Sequence, residues 1–326
     1  MAEGMEREHW LAERRLGVGG TDAAAIVGAS KFATAYDVYL EKKGLAPPKE
    51  DSAAMWFGRE LEDIVAKRYA EVSGRKVWSP GRSYVHATES CLRASPDRLV
   101  IGEKRGLEVK TASIYTADQW GPEGSDIIPD AYTVQVCQNM AVLDYDVWDV
   151  ALLMGGNDFR IYTVHRDREF EEWLVERCVT WWQTHIVGDV VPEITGADST
   201  SEMLSRRFPR DVGVMLDADV NAETWLGRYV AAMGERKAFE RLEEEAKNNL
   251  KATIGEASGI TFKDGGRVTW KNTREVEKVD WRAAALALRE RAEAAGIACA
   301  DVMEAATTRE PGARRFIYSP AKEAKS

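Results

Sequence analysis

The chain has 326 residues, 44% of them hydrophobic and 30% charged, which is ordinary for a water-soluble globular protein long enough for two modest cores. No apolar run approaches the roughly 20 residues needed to cross a bilayer, and the charged opening from Met1 to Arg15 lacks the apolar centre of a signal peptide. A cytoplasmic protein is expected. The net charge of −10 rules out a uniformly basic nucleic-acid binder. It is unevenly spread, with 22 basic and 34 acidic residues in 1–205 against 22 and 20 in 206–326. Cys91, Cys137, Cys178 and Cys299 are far apart and form no C-x-x-C pair, so reduced, mostly buried thiols are expected in place of a zinc knuckle or disulfide framework.

The first element is the stretch from Gly17 to Gly28, GVGGTDAAAIVG. It reads as a glycine-rich turn, an N-cap at Thr21 or Asp22, a short helix and a closing glycine. Between Ser52 and Gly74, Phe57, Leu61, Ile64, Val65, Tyr69 and Val72 recur at helical spacing and predict a core helix. From Lys76 to Lys110 the pattern changes to short strands, KVWS, YVHA, CLRAS, RLVIG and LEVK, the last two joined across GEKRG. A loop from Gly121 to Asp130 precedes a helix over 131–143, two strands (VWDVALLMG and FRIYTVHR) and the helix FEEWLVERCVTWWQTHIVG. The order predicts an α/β (α+β) fold with a central mixed sheet flanked by helices.

Around Gly196 to Asp219 the sequence turns polar and loses periodicity, which places a domain boundary near Arg206. Residues 1–205 form the first domain. Residues 206–326 form a small α+β appendage: a charged helix over 223–254, a hairpin of ITFK and RVTWK around DGG, a helix over 280–295, and RRFIYS as a further strand. Trp270 and Lys271 on that hairpin invite a nucleic-acid reading through stacking and charge, but Trp270 is read first as a cross-strand packing residue. Trp173, Trp181 and Trp182 are read as core or subunit contact, and His9, His86, His165 and His185 form no ligand set.

Chemistry concentrates in Ser95-Pro96-Asp97-Arg98-Leu99 and, after a short gap, Leu107-Glu108-Val109-Lys110. Side chains of a strand alternate faces, so Leu107 and Val109 enter the core while Glu108 and Lys110 share the other face. Asp97 joins them from the neighbouring strand. Two carboxylates and an ammonium gathered at a sheet edge suit phosphodiester hydrolysis: the carboxylates hold Mg²⁺ or Mn²⁺, and the lysine steadies developing charge. Glu62, beside the apolar seam of its helix, is a candidate third ligand. Gln135, Gln138 and Asn139 make a polar stripe that can face the site and touch the nucleophilic water or DNA. Arg14, Arg15 and the Gly19-Gly20-Thr21 turn are candidates for gripping a phosphate.

The segments RRLGVGGTDAAAIVG, GRELE, SPDRL, LEVK and YTVQVCQNM, in that order, resemble the YqaJ viral recombinase family, to which lambda exonuclease is similar. The resemblance covers Trp10 to Gly188. It implies a restriction-endonuclease-like PD-(D/E)xK core, Mg²⁺ dependence with Mn²⁺ as a substitute, and 5′-to-3′ digestion of one strand at double-stranded DNA ends. A role in phage-type homologous recombination follows, in the cytoplasm of the host cell if the chain is phage-encoded. By the same resemblance Glu62, Asp97, Glu108 and the carbonyl of Val109 bind metal, Lys110 and Gln135 are catalytic, and Ser95, Thr21 and one of Arg14 or Arg15 grip a 5′-phosphate, while Gln138 is a candidate DNA contact from its place in the polar stripe alone. A single-strand annealing protein as partner and a homo-oligomeric ring are implied too. Two other readings stay open: an endonuclease or Cas4-like single-strand nuclease, the latter disfavoured because no four-cysteine cluster is present, and a catalytically silent DNA-binding scaffold.

Overall fold

The structure is a computed structural model that describes residues 12–48, 51–273, 280–297 and 316. The chain divides into two compact units, Met1–Pro209 and Arg210–Ser326. In the first unit, the short helices α1 (Gly20–Ile26) and α2 (Ala35–Lys42) precede the long helix α3 (Ala53–Ser73). Strands β1 (Val77–Trp78), β2 (Tyr84–Val85), β3 (Arg93–Ala94), β4 (Arg98–Val100) and β5 (Arg105–Ala112) follow, then a 3-10 turn (Ile114–Gln119). Helix α4 (Asp130–Leu143), strands β6 (Val147–Met154) and β7 (Asp158–His165), and helices α5 (Arg168–Trp181) and α6 (Asp198–Arg207) complete it.

The central sheet runs β1-β4-β5-β6-β7, antiparallel except for the β5–β6 pair. It is a mixed sheet with helices on both faces, as the alternation of elements predicts. On one face Leu107, Val109 and Ala151 pack under Val65, Ala66 and Tyr69 of α3. On the other, Leu99, Trp148, Val150, Leu152 and Tyr162 join the larger core with α1, α4 and α5. Gly106 is required by this packing, because a Cβ there would lie 2.4 Å from the Trp148 ring.

Helix α3 has Ser52 as N-cap and Gly74 in the left-handed conformation as its stop. Its seam is narrower than the expected one. Val65, Ala66 and Tyr69 are buried, whereas Phe57, Ile64 and Val72 are exposed, because one flat sheet face covers only one stripe of a helix. Tyr69 anchors α3 by donating to Asp149 at 2.5 Å, and Asp149 also accepts from Arg105 at 2.6 Å and Thr163 at 2.8 Å. Burial, and then the Asp149 carboxylate, raises the Tyr69 pKa and keeps its phenol protonated.

Several sequence expectations change. The N-cap of α1 is Gly19, not Thr21 or Asp22. Asp22 sits three residues in, accepts from the Gly19 amide at 2.9 Å and is paired with buried Lys42 at 2.6 Å. Residues 198–207, read as aperiodic, form α6, which buries Thr200 and Met203. Helix α5 continues through a π-helical turn, Trp182–Val187. Trp181 is core, whereas Trp173 is 41% exposed. Cys91, Cys137 and Cys178 are free and buried, and burial pushes the Cys137 and Cys178 thiols up to about 12. Cys299 and His9 lie outside the described residues.

The second unit holds α7 (Val220–Ile254), the hairpin β8 (Gly259–Thr261) and β9 (Arg267–Thr269), and α8 (Trp281–Ala294). Trp270 falls just past β9 and is 52% exposed, so it is not the packed cross-strand residue expected. Of the run RRFIYS only Phe316 is described; it meets Tyr229 edge-on at 5.3 Å. Among the described residues no helix is long and apolar enough to cross a membrane.

Candidate active site

Strand alternation on β5 sets the site. Leu107 and Val109 face α3, so Glu108 and Lys110 project toward α4. There the Lys110 ammonium donates to Glu108 Oε1 at 2.6 Å and to Gln135 Oε1 at 3.1 Å, and the Gln135 amide closes the triangle by donating to Glu108 Oε1 at 2.5 Å. Lys110 Nζ also lies 4.8 Å from the centre of the Tyr132 ring. Asp97, just before β4, enters from the next strand, and its Oδ2 accepts from the Val109 amide at 2.7 Å.

This cluster is not the surface edge that the sequence pattern led us to expect. Glu108 is 2% exposed, since α4 covers that end of the sheet. Its Oε2 is buried with no hydrogen-bond partner, although a buried carboxylate oxygen ordinarily needs one. Burial, and then the Glu108 charge, pushes the Asp97 carboxyl well above the usual range; Lys110 and the Val109 amide pull the other way. The Lys110 ammonium is held above its ordinary value despite burial, because Glu108 and Asp97 favour its charge. Two crowded carboxylates and an orphaned oxygen suit a hard cation: its charge would relieve the repulsion, and oxygen donors are what Mg²⁺ takes.

Glu62 is placed differently. On β4, Arg98 stands opposite Leu107 and therefore faces α3. It is buried, and it donates to Glu62 Oε1 at 2.6 Å, to Asp63, and to the Asp97 carbonyl at 2.5 Å. Glu62 is thus held by Arg98 instead of joining Asp97 and Glu108. Among the described residues, no three His, Cys, Asp or Glu side chains stand together as a ready metal cage. Arg98 was missed from the sequence, yet its place in SPDRL, one after the aspartate, puts it on the face opposite to the chemistry.

A cavity of about 160 Å³ opens beside Gln135. Arg14, Thr21, Arg93, Ser95 and Asn139 line it with the backbone of Gly19 and Gly20. Ser95 shares a 2.7 Å hydrogen bond with Ser83, and Arg14 is paired with Asp22 and Glu41, each at 3.2 Å. Arg15 is exposed and is not among the lining residues, which separates the two arginines that sequence left equivalent. Arg93 is the residue sequence reasoning overlooked. It lies two before Ser95, hence on the same face of its strand, and its buried Nε has no partner.

Gln138 does not face this cavity. It is fully buried and donates to the Val18 carbonyl at 3.2 Å, so the expected DNA contact is corrected to a core role. A step of three residues from Gln135 turns it toward α1, whereas the step of four to Asn139 stays on the cavity side. Gly20 fixes the depth of the site: a Cβ there would meet Gln135 Cγ at 2.7 Å and its carbonyl oxygen at 2.9 Å.

Residues 9–146 match the YqaJ-like viral recombinase domain. The chain is 32% identical over 271 residues to the uncharacterized protein YqaJ of Bacillus subtilis (strain 168), covering 82% of this chain and 84% of that protein. Among solved structures it is similar to LHK-Exo in complex with dAMP, at 22% identity over 56% of this chain and 93% of that one, with a TM-score of 0.46. The alkaline exonuclease LHK-Exo from Laribacter hongkongensis matches at 21% identity with the same coverage and TM-score. The segments carrying Asp97, Glu108, Lys110 and Gln135 all fall inside the matched domain, and the chain belongs to the YqaJ-like viral recombinase family.

Proposed function

We propose that the chain is a deoxyribonuclease, an exonuclease of phage-type recombination that needs a divalent metal ion, Mg²⁺ or Mn²⁺, and digests one strand of linear duplex DNA from its 5′ end. The observation that carries the reading is the Glu108–Lys110–Gln135 triangle beside Asp97, with Glu108 Oε2 left unpartnered in a buried place. Asp97, Glu108 and the Val109 carbonyl would hold the ion, joined by Glu62 if it leaves Arg98. When bound, the ion supplies Lewis acidity toward a phosphoryl oxygen and makes a neighbouring water more acidic.

The remaining work falls to this chain's own side chains. Lys110 keeps its proton at Nζ and presents positive charge to the developing phosphate charge. Gln135 holds Lys110 and Glu108 in register through one amide. The cavity of Arg14, Thr21, Arg93 and Ser95 takes the 5′-phosphate. We assign the chemistry to residues 1–205 and treat 206–326 as an appendage. A single-strand annealing protein as partner and a homo-oligomeric ring around DNA extend the same reading.

The test is digestion of a linear duplex labelled at one 5′ end beside the same sequence as a closed circle, with Mg²⁺ and with EDTA. Metal-dependent loss of the linear form alone, with early release of the 5′ label, is expected. Cutting of the circle means an endonuclease; inertness toward both favours a silent scaffold. A second prediction concerns the ends. The wild type should prefer a 5′-phosphorylated end to a 5′-hydroxyl end by about tenfold or more, and Arg93→Ala should erase most of that preference, because a charged hydrogen bond contributes roughly 1.5–3 kcal/mol. Equal rates on both ends in the wild type would remove the phosphate role of this cavity.

A further inference from the structure

A second, larger cavity lies on the other side of Lys110, and neither the metal-binding cluster nor the phosphate cavity uses it. Its volume is about 600 Å³, within the roughly 300–1,000 Å³ of sites that enclose a small organic molecule. Thr111 and Ala112, which follow Lys110 directly on β5, form one wall. Trp120 and Tyr132 form another, their rings 5.6 Å apart and inclined by 35°. Phe32 stands at the mouth, 69% exposed, with Lys31 Nζ 5.2 Å from its ring centre. An aromatic floor, an exposed ring at the entrance and a cation beside it suit a flat heterocycle attached to an anionic backbone.

Its place along α4 tells which nucleotide it suits. Gln135 lines the phosphate cavity and Tyr132, three residues earlier, lines the aromatic one. Lys110 is bonded to the first and lies over the second. A strand entering from the phosphate cavity and crossing Lys110 is delivered to the aromatic walls. We propose that this cavity receives the nucleobase on the 3′ side of the scissile phosphate, an inference that rests on the nuclease reading above. Stacking accepts any base, since all four present a π-face. Gln119 and Asp130 in the lining offer donors and acceptors to any base edge.

The experiment uses the full chain and a 5′-phosphorylated linear duplex. With Ca²⁺ replacing Mg²⁺ to slow cleavage, 2-aminopurine as the second nucleotide should lose emission on binding, whereas 2-aminopurine at the eighth should not. With Mg²⁺, an abasic second nucleotide should raise KM about tenfold with kcat within about twofold, the range expected of one stacked base. Phe32→Ala, an exposed change that leaves the core alone, should do the same on the normal substrate and add nothing on the abasic one. Unchanged KM on the abasic duplex, or additive effects, would overturn the assignment. The controls are Asp97→Ala and Glu108→Gln. If the wild type itself is inert, the nuclease reading has failed; if these variants cleave like wild type, the site beside which the cavity is placed has failed. If they are inert while the wild type is blind to the second base, only the cavity assignment has failed.

Discussion

Glu108→Gln is expected to lower the rate of strand cleavage by at least about a thousandfold, and to leave the metal-free protein as stable as the wild type or more so. Loss of a carboxylate that holds a Lewis-acidic ion removes several kcal/mol of transition-state stabilisation, and each roughly 1.4 kcal/mol is tenfold in rate. The stability expectation has the opposite sign because the residue is buried beside Asp97 with one oxygen unpartnered. A neutral amide there ends the repulsion and still offers an oxygen to Lys110. Two measurements check this: steady-state cleavage with Mg²⁺, and thermal unfolding with Mg²⁺ or EDTA. Mg²⁺ should raise the wild-type Tm through linkage and leave that of Glu108→Gln unmoved. Near wild-type cleavage by the variant would remove Glu108 from the site.

Asp149→Ala carries the largest expected loss of stability, about 3–5 kcal/mol. Asp149 is 1% exposed and is shared by Arg105, Tyr69 and Thr163. Removing it takes the acceptor from the Tyr69 phenol and leaves the mostly buried Arg105 guanidinium only the exposed Glu103, at 3.1 Å, and breaking a buried pair by taking one partner typically costs that much. Denaturant unfolding followed by far-UV circular dichroism reads the change as a lower midpoint at constant slope. Activity should fall beyond the loss of folded protein, because Tyr69 ties α3, and with it Glu62, to the sheet. A change below about 1 kcal/mol would mean that the network contributes little.

Much of the scaffold was legible because it follows from periodicity. Alternation along LEVK separated Leu107 and Val109 from Glu108 and Lys110, and that separation is what the sheet displays. The helix over 131–143 and its Gln135 were readable from an apolar run broken by amides. What escaped was decided by partners distant in sequence. No local pattern announces that Arg98, 36 residues on, holds Glu62 Oε1. Gln138 looked functional because helical spacing cannot distinguish a polar group facing DNA from one satisfied by the Val18 carbonyl. Arg93 was passed over because its value comes from the cavity around it. Helix α6 was lost to a polar composition that hides its two buried residues, Thr200 and Met203.

Gly20 has a consequence of a genetic kind. It carries no functional group and lies 88 positions before Glu108 in the chain, yet any side chain at this position meets the Gln135 backbone and stem. In a screen for loss of recombination, substitutions there would be recovered beside those in the acidic motif, and their severity would track side-chain volume rather than polarity. Shortening the residue at 135 would relieve the contact with its stem but not the contact with its backbone, and would forfeit the amide bonded to Lys110. The position therefore has no cheap suppressor, and sequence drift in the first helix is constrained by the charged side chains of a strand it never pairs with.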